Sequence, residues 1–240
     1  MLYLIGLGLE VKDLSIKALE AIKKCKDIYL EHYTTKLPYD IKELEKVTKK
    51  KVWILSRERV ESDFLIHEAK KKNIALLVYG DPLAATTHIS LLREAEKKKI
   101  PVSILHNVSV LNAVLDTGLH AYKFGKITSI PRWQENYRPR SFFTIVKENL
   151  SIQAHTLLLV DPGLNPSEAL KELNEASEYA LDDKFIIVCS KLGTQKQEII
   201  FAKLKELVKK TPKVKEPFCI IVPAKMHFSE EEILYRKIKI

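Results

Sequence analysis

The chain has 240 residues, of which 46% are hydrophobic and 30% are charged, and its formal net charge is +9. A chain of this size and composition buries enough apolar surface to fold without disulfides or metal ions, which excludes a disordered protein. No apolar run reaches the roughly 18 residues that a membrane-spanning helix needs, so we predict no membrane segment. The apolar start, Met1 to Leu9, lacks a basic leader and predicts a first strand rather than a signal peptide.

The chain alternates between β-rich runs and helical stretches. In the first half, strands are predicted at 2–5, 27–31, 51–55, 74–79 and 101–105, and helices at 15–24, 39–47, 64–72 and 89–98. In the second half, strands are predicted at 127–130, 155–160, 184–189 and 217–222, and helices at 108–115, 140–149, 167–180 and 201–210. We therefore predict an α/β protein of two domains, 1–107 and 108–240, with a ligand cleft between them.

Lysine supplies most of the positive charge, because only seven of the 40 basic residues are arginines. A lysine-rich excess is typical of a solvated surface that meets an acidic partner, whereas phosphate readers rely on arginine. We therefore expect a protein partner and no nucleic acid. The three cysteines, at positions 25, 189 and 219, show no CxxC spacing, which favours a reducing cytoplasm. Neither a metal-ligand spacing of histidines nor a nucleophile motif occurs, so we predict no metal and no covalent nucleophile.

Glycine is scarce, and Gly6 and Gly8 end the first predicted strand. The third glycine of a dinucleotide motif is absent, because Val11 stands in its place. Only Glu31 provides an acidic residue in a plausible dinucleotide register. We therefore interpret the two glycines as a tight turn that lines another kind of cleft, and an NAD site is the alternative.

Two later loops carry polar residues between a strand and a helix. In YGDPLAATTH, Gly80 and Pro82 shape a turn that holds Asp81 at a strand end. In HNVSVLNA, Ser109 opens a helix. Ligands of open α/β sheets bind beyond the carboxyl ends of strands, so these loops predict a small-molecule site. A purely structural turn and an ordinary helix cap are the alternatives.

The stretch from Thr117 to Arg140 concentrates aromatic and basic side chains. Arg132, Arg138 and Arg140 fall within nine residues of each other, beside Trp133. Arginine and aromatic residues dominate the energetics of interfaces, so we expect a rim loop that contacts an acidic protein face. A packed crossover between the two domains is the alternative.

Six ordered blocks of the chain are similar to one family. They are LYLIGLGL at 2–9, GDPLAATTH at 80–88, NVSVLNA at 107–113, TGLHAYKFGK at 117–126, HTLLLVD at 155–161 and IVPAKMHF at 221–228. On these blocks the chain resembles the diphthine synthases, methyltransferases of the tetrapyrrole-methylase fold. GDPL with ATTH, together with TGL and YKFG, is specific to this family within the fold, whereas GLG alone is not.

The resemblance implies a homodimer that binds S-adenosylmethionine in a cleft between two α/β domains and uses no metal. The implied substrate is translation elongation factor 2, at a histidine that carries a 3-amino-3-carboxypropyl group. Methylation of its amino group, three times in archaeal members, belongs to diphthamide biosynthesis, and eukaryotic members also methylate a carboxylate. A ribosomal RNA or tetrapyrrole methyltransferase of the same fold, and a catalytically inactive binding module on the translation factor, are the alternatives.

The cofactor contacts that the resemblance implies fall on eight positions: Leu9, Asp81, Ala84, Ser109, Val110, Val160, Leu192 and Phe218. Phe218 departs from the family pattern, in which a histidine is expected, and Pro162-Gly163 replaces the usual continuation after the HTLL strand. We also expect a C-terminal helix of the family to be largely missing after Phe228. No catalytic residue is assigned, because methyl transfer from a sulfonium to an amine requires neither a nucleophilic side chain nor a metal.

Overall fold

A computed structural model describes residues 1–237. The chain divides into two compact units, Met1–Ala113 and Val114–Ile240, here called unit 1 and unit 2. The domain boundary expected from the sequence, after residue 107, lies a few residues before this division. Over residues 1–237, no helix is both long and apolar enough to cross a membrane.

Unit 1 is a five-stranded parallel sheet with helices between its strands. The strands are β1 (Leu2–Gly6), β2 (Asp27–Glu31), β3 (Val52–Leu55), β4 (Ile74–Val78) and β5 (Val102–Leu105). The helices are α1 (Ile16–Lys24), α2 (Ile41–Thr48), α3 (Arg57–Glu61), α4 (Phe64–Lys71), α5 (Ile89–Lys97) and α6 (Val110–Ala113). The strand order is β3-β2-β4-β1-β5, and every neighbouring pair is parallel.

Apolar composition on both faces explains this sheet. All five residues of β4 are buried, because the strand packs into one core cluster on each side of the sheet. Side chains at the helix ends help to set where the helices begin and end, as α1 illustrates. Ser15 caps α1 through the amide of Ala18, and Lys23 and Lys24 complete its last turn, where they oppose the helix dipole.

The order of the strands brings three loops together at one edge of the unit 1 sheet. Strands β1 and β4 are neighbours, but the chain leaves β1 toward β2 on one side and leaves β4 toward β5 on the other. The two connections therefore run in opposite directions, and ligands of open α/β sheets commonly bind at the carboxyl ends of such strands. The loops after β1, β4 and β5 all emerge at this edge.

Unit 2 contains a mixed five-stranded sheet. Its strands are β6 (Thr128–Ile130), β7 (Thr156–Val160), β8 (Phe185–Ser190), β9 (Glu198–Lys203) and β10 (Phe218–Val222), in the order β6-β7-β10-β8-β9. Strands β6 and β7 are parallel, and the remaining pairs are antiparallel. Its helices are α7 (Ser141–Ser151), α8 (Pro166–Ala176), α9 (Leu204–Lys209) and α10 (Phe228–Lys237).

Two expectations for unit 2 are wrong. The predicted helix at 201–210 begins only at Leu204, because Glu198–Lys203 pairs along the whole of β8 as an edge strand. Phe201 is buried there against the ring of Phe185, at 4.7 Å between ring centroids. The C-terminal helix that we expected to be missing is present as α10, which continues ten residues from Phe228.

Candidate functional site

The loops after β1 and β4 cross each other at the carboxyl edge of unit 1. The amide of Gly8 donates to the carbonyl of Gly80 at 3.1 Å, and the amide of Gly80 donates back at 2.9 Å. Gly6 lies under this crossing, where a Cβ atom would sit 2.6 Å from the Gly80 oxygen and 2.9 Å from the Cβ of Asn107. The close approach of the Gly80 backbone and the Asn107 side chain therefore requires glycine at position 6.

Asn107 ties the β5 loop to the β1 loop. Its Nδ2 donates to the carbonyls of Gly6 at 3.1 Å and of Asp13 at 2.9 Å. The carboxylate of Asp13 in turn accepts from the amides of Leu9 and Glu10, both at 2.8 Å. Asn107 and Asp13 were not predicted as site residues, although Asn107 lies inside one of the family blocks.

Asp81 links the β4 loop to the β5 loop. Its Oδ1 accepts from the amide of Leu83 at 2.9 Å, and its Oδ2 accepts from the amide of Asn107 at 3.2 Å and from Nδ1 of His106 at 2.8 Å. Burial raises the pKa of Asp81, but these hydrogen bonds outweigh it and lower the pKa below its ordinary value. Asp81 is therefore an ionised carboxylate that orients the largely exposed ring of His106.

The other predicted cofactor contacts of unit 1 lie on the same three loops. Leu9 is buried at the exit of β1, and Ala84 and Val110 are partly buried. Ser109 is also buried, and its Oγ accepts from the amide of Leu111 at 3.2 Å, which is a local cap of the short helix α6. The structure thus gathers five of the eight predicted positions at one edge of the unit 1 sheet.

The remaining three predicted positions lie at one end of the unit 2 sheet. Val160 ends β7, Phe218 begins the adjacent strand β10, and Leu192 follows β8. Phe218 pairs in register with Ser190, two residues before Leu192. All three side chains are apolar, and Val160 and Phe218 pack on the core of this unit, so Phe218 supplies no polar side-chain contact.

The carboxyl end of β2 adds polar residues that the sequence analysis did not assign to the site. Glu31 is only 2% exposed, and its carboxylate accepts from the hydroxyl of Thr34 at 2.5 Å and from the amide of Thr34 at 3.3 Å. The hydroxyl of Tyr33 lies 3.5 Å from Nε2 of the buried His88. Nδ1 of His88 donates to the carbonyl of Pro82 at 3.0 Å. These contacts connect the end of β2 to the β4 loop.

A buried carboxylate of unit 2 joins three of the family blocks, 117–126, 155–161 and 221–228. Glu230, in α10, accepts from the amides of His120 and His227 and from Nζ of Lys123, each at 2.7 Å. Nε2 of His155 donates to the same carboxylate at 3.2 Å. We call these five residues the Glu230 network.

Charge and tautomer are well defined in this network. Burial raises the pKa of Glu230, but its four donors outweigh burial and lower the pKa to about 2. Nδ1 of His155 accepts from the amide of Ala224 at 3.0 Å, so the proton of the neutral ring lies on Nε2 and points at Glu230. Burial lowers the pKa of His155, which keeps this ring neutral.

The segment 132–140, expected to be a rim loop, is largely exposed. Arg132, Arg138 and Arg140 are all exposed, and Trp133 is partly buried against the core of unit 2. The guanidinium of Arg138 lies 5.9 Å from the Trp133 ring centroid, and Arg140 pairs with the exposed carboxylate of Glu178 at 3.1 Å. All three guanidinium groups are therefore exposed to solvent, one of them near an aromatic ring and one of them in an exposed ion pair.

The chain is similar to known methyltransferases. The model of the family Tetrapyrrole (Corrin/Porphyrin) Methylases matches residues 1–208. A diphthine synthase of Methanocaldococcus jannaschii is 40% identical, over 98% of this chain and 97% of that protein. A diphthine methyl ester synthase of Schizosaccharomyces pombe is 46% identical over 67% of this chain and 58% of its own length. A crystal structure of a diphthine synthase superposes with a TM-score of 0.90 at 36% identity, covering 98% of this chain and 94% of its own.

Proposed function

We infer the function from the family, because the chain belongs to the tetrapyrrole methylases and, among them, to the diphthine synthases. The chain is therefore a methyltransferase. We propose that it methylates the amino group of the 3-amino-3-carboxypropyl-modified histidine of translation elongation factor 2, in diphthamide biosynthesis. The observation that carries this proposal is 40% identity to a diphthine synthase along nearly the whole of both chains.

The methyl donor in this proposal is S-adenosylmethionine, and the loop cluster of unit 1 fits it. The cofactor has a flat apolar base, ribose hydroxyls and a cationic sulfonium. Asp81 provides an ionised carboxylate, Gly6 and Gly8 let the loops around it pack closely together, and Leu9 and Val110 provide apolar side chains. No group of three or more His, Cys, Asp or Glu within residues 1–237 is placed to hold a metal ion.

The reaction needs little from the protein beyond binding and orientation. The cofactor supplies a methyl group on a sulfonium, which is already a strong electrophile. The protein must hold the neutral amine at a near-attack distance of about 3–3.5 Å from that carbon. Each transfer forms one N–C bond and breaks one S–C bond, and the ammonium form of the acceptor loses one proton to water before each transfer. The ties among the three loops, through Asn107 and Asp81, keep the cofactor side of this arrangement rigid.

The same proposal extends to partners and location. The protein substrate is elongation factor 2, and the exposed arginines of segment 132–140 form the surface that contacts an acidic face of it. We further propose a homodimer and a cytoplasmic location. The three cysteines, all within residues 1–237, are buried and form no disulfide, in keeping with a reducing compartment.

A labelling experiment tests the function. The protein is incubated with methyl-labelled S-adenosylmethionine and elongation factor 2, either unmodified or carrying the 3-amino-3-carboxypropyl group on its histidine. Label should appear only on the modified factor. Label on ribosomal RNA or on a tetrapyrrole instead would assign the chain to another branch of the family. No label on any acceptor, despite binding to the factor, would leave a binding module.

A further inference from the structure

The carboxylate of Glu31 is buried in unit 1 without a cation. Three glutamates of residues 1–237 are buried. Of the other two, one is paired with basic side chains and one has a raised pKa. Glu230 is held by a lysine and a histidine. Burial raises the pKa of Glu172, which favours its neutral form. Glu31 accepts only from Thr34, and no lysine, arginine or histidine of the described chain forms an ion pair with it.

An uncompensated carboxylate in a protein interior costs stability, so such a group is expected where a ligand supplies the missing charge. The two donors of Thr34 satisfy about half of the four lone-pair positions of the carboxylate, and the others remain for a ligand. The next residue in the chain, His32, also has a buried atom, Nδ1, without a hydrogen-bond partner in the described chain. Two adjacent side chains are therefore incompletely satisfied.

The position of Glu31 in the sheet places it at the site already described in unit 1. Strand β2 pairs with β4 so that Leu30 lies opposite Leu77, and Glu31 is one residue closer to the carboxyl edge. The next part of β4 leads directly into the loop of Asp81. Tyr33 and His88 connect the two strand ends, as their 3.5 Å contact indicates. Burial and then the negative charge of Glu31 raise the pKa of Tyr33 to about 12, so its phenol keeps its proton.

We propose that Glu31 binds the ammonium of an amino-acid-type group, an ammonium and a carboxylate on one carbon, at the carboxyl ends of β2 and β4. This inference rests on the proposed function, in which two ligands carry such a group. One is the 3-amino-3-carboxypropyl group of the protein substrate, whose ammonium loses a proton before methyl transfer, and the other is the methionine end of the cofactor. Their shared chemistry matches a buried carboxylate that has a missing cation and two open lone-pair positions.

The first test is thermodynamic and needs no ligand. In Glu31→Gln, the amide oxygen accepts from the Thr34 amide and the amide nitrogen donates to the Thr34 hydroxyl, so both contacts survive without the charge. The variant should therefore unfold at a temperature equal to or above that of the wild type. Glu230→Gln provides the contrast, because its four donors cannot accept a hydrogen bond and its Tm should fall. A fall in Tm for Glu31→Gln as large as that for Glu230→Gln would make Glu31 a structural residue and overturn the proposal.

The second test measures binding by calorimetry and distinguishes the two sources of the ammonium. One arm compares S-adenosylhomocysteine with S-adenosyl-4-thiobutyrate, which lacks only the amino group. The other compares modified with unmodified elongation factor 2. Glu31→Gln should weaken one of the two amino-bearing ligands about tenfold or more and abolish the preference for its amino group. Loss in the cofactor arm assigns the methionine end, and loss in the factor arm assigns the substrate.

Glu172→Gln is the matched control, because it removes a buried carboxylate of unit 2 that lies outside the unit 1 loops. Wild-type affinities of Glu31→Gln in both arms would overturn the proposal. These binding measurements do not depend on methyl transfer. A wild-type protein that fails to label the modified factor would count against the proposed function. The role of Glu31 would still be decided by the measured affinities.

Discussion

Replacing Glu230 by glutamine removes the negative charge at the centre of the Glu230 network. The variant keeps the shape of the side chain but presents an NH2 group to two of the four donors that the carboxylate now satisfies. These donors are two amides, an ammonium and an imidazole N–H, and none of them can accept a hydrogen bond in its place. Two buried donors therefore lose their partners, and Lys123 loses its counter-charge.

The magnitude follows from the pKa of this carboxyl group. It falls from 4.5 to about 2 in the folded protein, and each pKa unit is worth about 1.36 kcal/mol, so the ionised form stabilises the fold by about 3 kcal/mol at neutral pH. Because the folded pKa is depressed, this contribution is complete above a pH of about 4.5 and is lost as the pH falls toward about 2. For a chain of this size, about 3 kcal/mol corresponds to a fall in Tm of about 6–12 °C.

Urea unfolding can isolate this effect in unit 2. The chain has two tryptophans, Trp53 in unit 1 and Trp133 in unit 2, so a Trp53→Phe background leaves Trp133 as the fluorescent reporter. In that background, Glu230→Gln should lower the free energy of unfolding by about 3 kcal/mol at pH 7, with a smaller difference at pH 3. Glu148→Gln, which removes an exposed ion pair with Lys126, should cost less than about 0.5 kcal/mol. A Glu230→Gln variant that matches this control, or whose deficit is the same at both pH values, would refute the reasoning.

The Asp81→Ala variant should bind S-adenosylhomocysteine about tenfold to 150-fold more weakly in calorimetry, since a hydrogen bond to a charged group contributes about 1.5–3 kcal/mol. Unchanged affinity with an intact fold would mean that Asp81 only connects the two loops and does not bind the cofactor. Gly6→Ala places a Cβ atom 2.6 Å from the Gly80 oxygen, so the loops must separate and cofactor affinity should fall at least about tenfold; wild-type affinity and Tm would contradict the close approach. Charge reversal of the three exposed arginines of segment 132–140 should slow methylation of elongation factor 2 through weaker, less salt-dependent association, without changing cofactor binding. Wild-type rates across a salt series would exclude that surface. The three substitutions are Arg132→Glu, Arg138→Glu and Arg140→Glu.

Local sequence patterns correctly predicted elements that are buried along their whole length. They gave the wrong element where pairing with a distant strand sets the secondary structure. The run IALLV at 74–78 is apolar throughout, and it forms a strand buried on both faces. The run EIIFAK at 198–203 contains apolar residues that continue into the helical spacing of LKELVKK, so the boundary between strand and helix is not visible locally. It is set by pairing with β8, which starts more than ten residues earlier in the chain. Helix α10 was missed because the expectation rested on the short segment after Phe228, and that segment still forms a helix of ten residues.

Some contacts of the candidate site could likewise be predicted from the sequence, and others depend on packing between distant residues. The meeting of Asp81 with His106 was foreseeable in outline, because both follow strands whose carboxyl ends share an edge. Glu31 stood out in the sequence only as an acidic residue after a strand, and its burial without a cation depends on the packing around β2. The Glu230 network could not be foreseen, because its partners lie 3 to 110 residues away in the chain and no local pattern relates them.

The central position of β1 has a consequence for synthesis on the ribosome. This strand lies between β4 and β5, so its two edges are covered by residues 74–78 and 102–105. At about 5–20 residues per second, β5 emerges about 5–20 s after β1. During that interval the apolar segment LYLIG has exposed strand edges, which are prone to pair with other chains. The first strand to be made is thus completed only when the last strand of its sheet arrives.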